Sequence, residues 1–510
     1  MTNRKVRVRF APSPTGPLHI GGVRTALYNY LFAKKNNGDF ILRIEDTDQA
    51  RLVVGAENYI IESLKWLGIT PNEGVGFGEG EFAPYRQSER KEMYHQFALK
   101  LVEEDRAYYA FDSSAELEAM RVRLTAAGKD PKYDAVSRNS MKNSLTLSQD
   151  DVTKKIADGE HFVIRLKLPE METVDFSDMI RGPVSFNTAQ LDDKILFKGD
   201  GMPTYHLANV VDDYLMKISH VIRGEEWLPS APIHVLLYRY LGWESVMPQF
   251  AHLPLLLKPE GTGKLSKRDG DRLGFPVFPI EWKDPVSSEI SSGYRESGYL
   301  PEAVINLLAL LGWNPGTEEE IFSKEKLIET FSIERVGKHG AKFDQHKAKW
   351  FNQHYIRHLD NSLLIPELKK MIVQHQLIFS DEYINHAVSL IKQKISFIQE
   401  LWSVGIYFFI APEIYDETVI AKRWNEKSPE ILKTLIKNFS AINEFTAAKT
   451  EGQFNASLTE CEVPAKDFLQ LFRVCLTGVA VGPSLFETTE VLGKNETIKR
   501  LNNALIKFAK

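Results

Sequence analysis

The chain has almost no cysteine: two residues in 510, Cys461 and Cys475. Two thiols build neither a disulfide framework nor a four-cysteine metal site, and such scarcity suits a reducing compartment, so a cytoplasmic location is expected. Long apolar runs are also missing. The nearest, Ile406 to Ala411, falls far short of the roughly 18 residues a membrane helix needs. The basic opening MTNRKVRVRFAPSPTG is not followed by the apolar stretch of about 7 to 15 residues of an export signal, so a soluble protein without membrane partners is expected. No charge sign dominates: 63 Lys and Arg face 68 Asp and Glu, a net charge of −5. That balance excludes a histone-like coat on nucleic acid and confines any polyanion site to one region. The Walker phosphate loop and the GxGxxG dinucleotide fingerprint do not occur, nor does any fixed-period repeat or low-complexity tract.

What is present reads as an ordinary globular protein, with 43% hydrophobic, 26% charged and 11% aromatic residues. Its length predicts about three to five domains. Lys5 to Ala11 reads as a strand, and after a Pro- and Gly-rich loop Val23, Ala26, Leu27, Tyr30 and Leu31 fall at helical spacing. Gly38 is expected to stop that helix before a short strand over Phe40 to Ile44, completing a βαβ unit of the nucleotide-binding kind. Tyr94, Phe97, Ala98, Leu101 and Val102 predict a further helix. Beyond it the texture changes, and Phe162, Ile164, Leu166 and Leu168 alternate as in a half-buried antiparallel strand. The stretch from about 110 to 190 therefore reads as an inserted α+β module. The α/β pattern returns with the helix YHLANVVDDYL, the strand HVIRG, a helix holding Ile233, Leu236, Leu237 and Tyr240, and an expected strand LPLLL. After about residue 300 amphipathic helices dominate, as in Leu363 to His375 and Glu382 to Glu400.

Two segments concentrate chemistry. APSPTGPLHIGG, residues 11 to 22, lies between the first strand and first helix, with His19, Gly21 and Gly22 at the helix start. Backbone N–H groups and the helix dipole favour an anion there, and glycine lets a phosphate or adenine come close. Taken alone, the segment fits equally a Pro/Gly turn with a surface histidine. GTGKLSKRDG, residues 261 to 270, gathers Lys264, Lys267 and Arg268 around Ser266 in a glycine-bounded loop suited to closing on a polyphosphate. Alone, it also fits a merely solvated basic loop.

Together, HIGG early and KLSKR late in one split α/β domain resemble the paired HIGH and KMSKS signatures of class I aminoacyl-tRNA synthetases. RFAPSPTGPLHIGGVRTAL, RIEDTD, YHLANVVDD, VIRGEEWLPS, KLSKRDG and AKFDQHKAKWFNQHYI, in that order, resemble the bacterial glutamyl-tRNA synthetase family along nearly the whole chain. The resemblance implies an α/β fold: a Rossmann-like parallel-sheet catalytic domain split by an α+β insertion, followed by all-helical C-terminal domains. The expected segments are 1–110 and 191–260 for the two catalytic halves and 111–190 for the acceptor-end insertion. The KLSKR loop and stem-contact domain would take 261–365, and a helical anticodon-binding region 366–510.

The family also implies roles. Arg9, Ser13, Glu45, Tyr205, Asn209 and Arg223 match glutamate-pocket positions, and His19, Gly21, Gly22, Glu226, Trp227, Lys264, Ser266 and Lys267 match ATP positions, with His19, Lys264 and Lys267 the catalytic set. The chemistry is compatible: glutamate's two carboxylates suit the guanidinium forks of Arg9 and Arg223, and its ammonium suits Glu45. The partners implied are L-glutamate, ATP with its own Mg²⁺, and tRNA-Glu, with tRNA-Gln open as a second acceptor, no DNA, and a monomer. Arg335 to His358 carries six cations against one acid, interleaved with aromatics, so Lys338, Lys342, Lys347, Lys349 and Arg357 are candidate tRNA contacts. Two departures stand out. Ala110 and Asp112 occupy places where relatives hold zinc-binding cysteines, so no structural zinc is expected. The stretch from Asp271 to about Ser292 is longer than usual and reads as a surface elaboration. The rival readings are a glutaminyl-tRNA synthetase, which a cation at Arg223 disfavours, and an inactive tRNA-binding paralogue, which intact His19, Lys264 and Lys267 disfavour.

Overall fold

The computed structural model describes residues 4–260, 263–265, 269 and 274–508. Two compact units are present: Met1–Ser297 with Val304–Gln345, and Gly298–Ala303 with His346–Lys510.

In the first unit, β1 (Arg7–Phe10) pairs in parallel with β2 (Asp39–Leu42), and β2 with β3 (Glu73–Gly74). On the other side of β1 lies β9 (His220–Gly224), tied to it where Ser219 N–H donates to Arg7 O at 2.8 Å and Arg7 N–H donates to Ser219 Oγ at 2.7 Å. β9 pairs in parallel with β10 (Gln249–Leu253). The spatial order β3-β2-β1-β9-β10 is the parallel half-sheet of a nucleotide-binding fold, and its order reverses between β1 and β9. Helix α1 (Ile20–Lys35) crosses from β1 to β2. It stops at Asn36 and Asn37, the latter with φ of 50°, and Gly38 is required for a different reason. A Cβ there would lie 2.3 Å from Val6 O.

The insertion begins with β4 (Ala107–Ala110), which pairs antiparallel with β5 (Val163–Leu166), and β5 pairs with β8 (Ile195–Phe197). The antiparallel expectation holds, but β5 is not half-buried. Arg165 is buried because its guanidinium covers the Tyr133 ring at 4.1 Å and donates to Asp193 O at 2.9 Å. The hairpin β6 (Thr173–Asp178) and β7 (Gly182–Asn187) instead joins the main sheet, since Asp178 pairs in parallel with Phe250 of β10. Asp112 accepts from Tyr133 Oη at 2.8 Å and from Lys142 N–H at 2.7 Å, so it pins this module by hydrogen bonds over a core of Tyr108, Met120, Tyr133 and Met141.

Three expectations are corrected. LPLLL is not one strand: the sheet strand ends at Leu253, because Pro254 has no N–H for the ladder, and only Leu256–Leu257 (β11) pairs again, in parallel with Ala341–Lys342. The helix expected over Glu382–Glu400 ends at Ile391; Glu400 accepts from Ser396 N–H and Phe397 N–H at 2.6 and 3.1 Å and opens a new helix, Glu400–Phe409. In the stretch read as a surface elaboration, residues 283–292 are indeed mostly exposed, but the part before them is core, with Phe275, Val277, Phe278, Ile280 and Trp282 buried. It packs on helix α2 (Ala56–Trp66), where Trp282 meets Tyr59 edge-on at 5.1 Å and Tyr59 Oη donates to Ile280 O. Only its outer hairpin, around Val286, projects into solvent.

The second unit is helical and encloses one core that includes Leu435, Phe439, Phe454, Phe472 and Leu501. Its last element, Leu485–Phe508, is broken at Gly493, whose φ of 75° and ψ of 167° leave the helical range. Arg500 is buried there by donating to Tyr407 O and Leu476 O at 2.6 and 2.8 Å while pairing with Glu496 at 2.8 Å. No described helix is long and apolar enough to cross a membrane.

Candidate active site

A cavity of about 380 Å³ opens where the sheet order reverses, beyond the C-terminal ends of β1 and β9, the position at which open α/β sheets bind ligands. Arg9, Ser13, Gly21, Gly22, Glu45, Tyr205, Asn209, Arg223, Glu226 and Trp227 all line it. Arg9 arrives on β1, Arg223 on β9, and Tyr205 and Asn209 on one face of the helix Tyr205–Leu215. A Cβ at Gly22 would sit 2.7 Å from Leu18 Cδ1, so any larger residue there must displace the Leu18 side chain.

The charges are arranged unequally. Arg9 is held by Asp213 through two bonds of 3.0 and 3.2 Å, and Asp213 also accepts from Arg43 at 2.7 Å. Arg43 donates to Glu45 at 2.9 Å, and Glu45 accepts from Asn209 at 3.0 Å. These arginines and acids are buried. The two guanidiniums beside Asp213 hold its carboxyl below the usual range against the opposing effect of burial. Arg223 has no carboxylate within ion-pair distance among the described residues. It donates to His252 Nε2 at 3.0 Å and to Tyr205 Oη at 2.7 Å. Burial therefore lowers its pKa, and burial also pushes the Tyr205 phenol up to about 12. Arg43 also lies 3.9 Å from Asp212, which Arg90 meets at 2.7 Å, so four guanidiniums, Arg9, Arg43, Arg90 and Arg223, face three carboxylates, Glu45, Asp212 and Asp213, leaving one positive charge over in this cluster of described residues. The histidines around Arg223 are kept neutral by burial: His234 well below its ordinary value, His252 lowered, and His206 down to about 4.

His19 does not line the cavity itself but caps α1 beside Gly21 and Gly22, its Nδ1 accepting from Gly21 N–H at 3.0 Å, which in the neutral ring leaves the proton on Nε2. Ile20 N–H is taken by Val277 O at 3.0 Å, so the segment after the KLSKR loop closes the first turn of this helix. Glu226 pairs with Lys264 at 2.9 Å on the exposed rim, and Trp227, 42% exposed, lies tilted on Tyr205 at 4.5 Å. Ser266, Lys267 and Arg268 lie outside the described residues.

Sequence reasoning missed Arg43, Asp213, His234, His252 and Asp178. The two aspartates of VVDD and the arginine of RIEDTD stood inside quoted motifs, but nothing local marks which carboxylate meets which arginine. Of the candidate tRNA contacts, Lys338, Lys342, Lys349 and Arg357 are exposed and Lys347 is partly so. Lys338 and Lys342 belong to the first unit, the other three to the second. Among the interleaved aromatics, Phe343 and Phe351 are core, Phe343 stacking on Phe275 at 4.6 Å, whereas Trp350 is 44% exposed.

Residues 5–350 match the family described as tRNA synthetases class I (E and Q), catalytic domain, and residues 363–505 match an anticodon binding domain. Among curated relatives, the glutamate–tRNA ligase of Amoebophilus asiaticus is 55% identical over 503 residues, covering 98% of both chains. That of Cytophaga hutchinsonii is 54% identical over 507 residues, covering 99% of this chain and 98% of the relative. A solved glutamate tRNA ligase of Elizabethkingia meningosepticum, in complex with its amino acid, superposes with a TM-score of 0.92 at 46% identity, covering 99% of this chain and 100% of that one.

Proposed function

Because the chain belongs to the glutamate–tRNA ligases among the class I aminoacyl-tRNA synthetases, we propose that the cavity beyond β1 and β9 is where it activates L-glutamate. Glutamate's α-carboxylate attacks the α-phosphorus of ATP in line, pyrophosphate leaves, and the 3′-terminal ribose of tRNA-Glu then takes the acyl group from the adenylate. Neither step needs a protein nucleophile, so positioning and charge carry the catalysis.

One observation supports this reading above the others: Arg223, a buried guanidinium without a carboxylate partner among the described residues, lines the cavity and belongs to a cluster whose charge excess is one positive. Glutamate, with two carboxylates and one ammonium, carries the one negative charge that neutralises it. Arg223 takes the side-chain carboxylate, Glu45 with Asn209 meets the ammonium, and Arg9, Ser13 and Tyr205 complete the pocket. ATP lies along the first turn of α1, over Gly21 and Gly22, with the Nε2–H of His19 donating to a phosphate oxygen. Glu226 and Trp227 bound the nucleoside, and Lys264, Ser266 and Lys267 meet the leaving pyrophosphate. Mg²⁺ arrives on ATP. In ATP–pyrophosphate exchange, glutamate with tRNA-Glu is expected to give turnover and glutamine only slight exchange; equal exchange with both amino acids would defeat the assignment of the pocket. Adding tRNA-Gln to the same assay reports whether it serves as a second acceptor.

The enzyme acts in the cytoplasm as a monomer, with Lys338, Lys342, Lys347, Lys349 and Arg357 contacting tRNA phosphates. We propose further that it holds no structural zinc, because Asp112 pins its module by hydrogen bonds and hard carboxylate chemistry alone makes a poor tetrahedral zinc site. Elemental analysis should find far less than one zinc per chain, and EDTA should leave the unfolding temperature unchanged; a stoichiometric ion would overturn this.

A further inference from the structure

Arg223 owes its orientation to a relay that begins in the inserted hairpin. Asp178, at the end of β6, receives N–H donors from the turn that follows it: its Oδ1 accepts from Ile180 N–H and Arg181 N–H, both at 2.9 Å. Its Oδ2 lies 2.6 Å from His252 Nδ1. His252 stands opposite Arg223 in the parallel register of β10 and β9, so both side chains leave the same face of the sheet. Its Nε2 lies 3.0 Å from Arg223 Nε, which can only donate. Nε2 must therefore accept, Nδ1 must carry the proton, and Asp178 Oδ2 must be its acceptor. Each ring nitrogen has one partner and one role, and both Asp178 and His252 are buried.

We infer that Asp178 and His252 are positioning residues that fix the fork of Arg223 and so set the preference for glutamate. The inference rests on the reading that Arg223 takes the side-chain carboxylate. With Nε committed to His252, one terminal nitrogen to Tyr205 Oη at 2.7 Å and the other donating at 3.4 Å to Trp227 O, the guanidinium plane is held, and the N–H groups left over point in a fixed direction. Neutral His252 orients the cation without cancelling its charge, which a carboxylate in the same place would do. The same turn is tied to the rim of the cavity a second way: Arg181 donates to His252 O at 3.2 Å and pairs with Glu225, the neighbour of Glu226.

The test turns on a tautomer. In Asp178→Asn the side-chain oxygen is still claimed by the two turn amides, so the new NH₂ faces His252 Nδ1 and forces the ring proton onto Nε2, against the Nε–H of Arg223. Histidine ¹⁵N spectra of the full chain should show His252 neutral with the proton on Nδ1 in the wild type and on Nε2 in Asp178→Asn. The KM for glutamate should rise roughly tenfold to a hundredfold in Asp178→Asn, the effect of one unmade buried hydrogen bond, while the KM for ATP stays within about twofold. His252→Gln supplies an acceptor to Arg223 that needs no tautomer, so adding Asp178→Asn to it should change the glutamate KM by less than about threefold. A wild-type ring protonated on Nε2, or equal rises in both KM values, overturns the inference. If Arg223→Ala keeps its preference for glutamate, the reading of Arg223 falls and the selective role of the pair with it. If that variant loses the preference while Asp178→Asn leaves the glutamate KM unchanged, only the positioning role falls.

Discussion

Replacing Arg223 by alanine is expected to lower kcat/KM for glutamate by roughly two to three and a half decades and to leave the slight activity towards glutamine almost unaltered. The figure follows from removing one partner of a desolvated charge pair, which costs about 3 to 5 kcal/mol. The structure gives it a specific basis. Arg9 is already matched by Asp213 and Arg43 by Glu45 and Asp213, so neither has a whole charge to offer. Arg223 does, and glutamate and glutamine are nearly isosteric, so charge must separate them. Lysine at 223 should recover only part of the loss, because an ammonium cannot at once meet His252, Tyr205 and a carboxylate in a plane. Pyrophosphate exchange with each amino acid measures this. An alanine variant that lost activity equally towards both would transfer the role to another residue, Arg9 first.

The second large effect is on stability. Asp213→Ala leaves Arg9 with no carboxylate within ion-pair distance among the described residues, and Arg43 with Glu45 at 2.9 Å and the more distant Asp212 at 3.9 Å. Breaking a buried pair from one side costs about 3 to 5 kcal/mol, which for a unit of this size lowers the unfolding temperature by roughly 4 to 7 °C. Glu57→Ala, which removes the half-exposed partner of Arg86, should cost less than about 1 kcal/mol and serves as the control. The acid dependence has a definite sign. Asp213 titrates below its ordinary value of 3.8, so its contribution is complete above that pH and disappears as the pH falls through the lower folded value. The gap between wild type and Asp213→Asn should therefore narrow only below about pH 4. Calorimetry across that range checks it, and an Asp213→Ala protein as stable as the Glu57→Ala control would show that the cluster does not hold the seam.

What the sequence made legible was whatever sits in consecutive residues. HIGG and KLSKR mark the phosphate end of the site because a helix start and a basic loop are local objects, and Tyr205 with Asn209 share a face because helical spacing puts them there. Arg9 and Arg223 could be named from their motifs, but their partners could not. Asp213 lies 204 residues from Arg9, and nothing in VVDD says that its second aspartate, rather than its first, turns toward β1. His252 was lost for a different reason. Reading LPLLL as the strand moved the sheet four residues too far along the chain, past the histidine that stands in register with Arg223. Pro254 was the available correction, since proline cannot donate to a central ladder. The apolar residues of 275–282 likewise read as surface in the sequence, because composition does not reveal that Val277 O closes the first turn of α1.

The seam between β1 and β9 also has a consequence in time. Of the arginines that depend on Asp213, Arg9 belongs to the first strand to be synthesised and Arg43 directly follows the second, whereas their carboxylate belongs to a helix that follows the entire insertion. At about 5 to 20 residues per second, roughly 10 to 40 seconds separate the emergence of Arg9 from that of Asp213. Throughout that interval the first βαβ unit has cations destined for burial and no anion of its own to satisfy Arg9, so it cannot close its inner edge while it waits. Vectorial synthesis therefore leaves the earliest part of the chain open until the second half of the sheet arrives, and the inserted module, whose own strands β4 and β5 are both made before Asp213, is free to fold first.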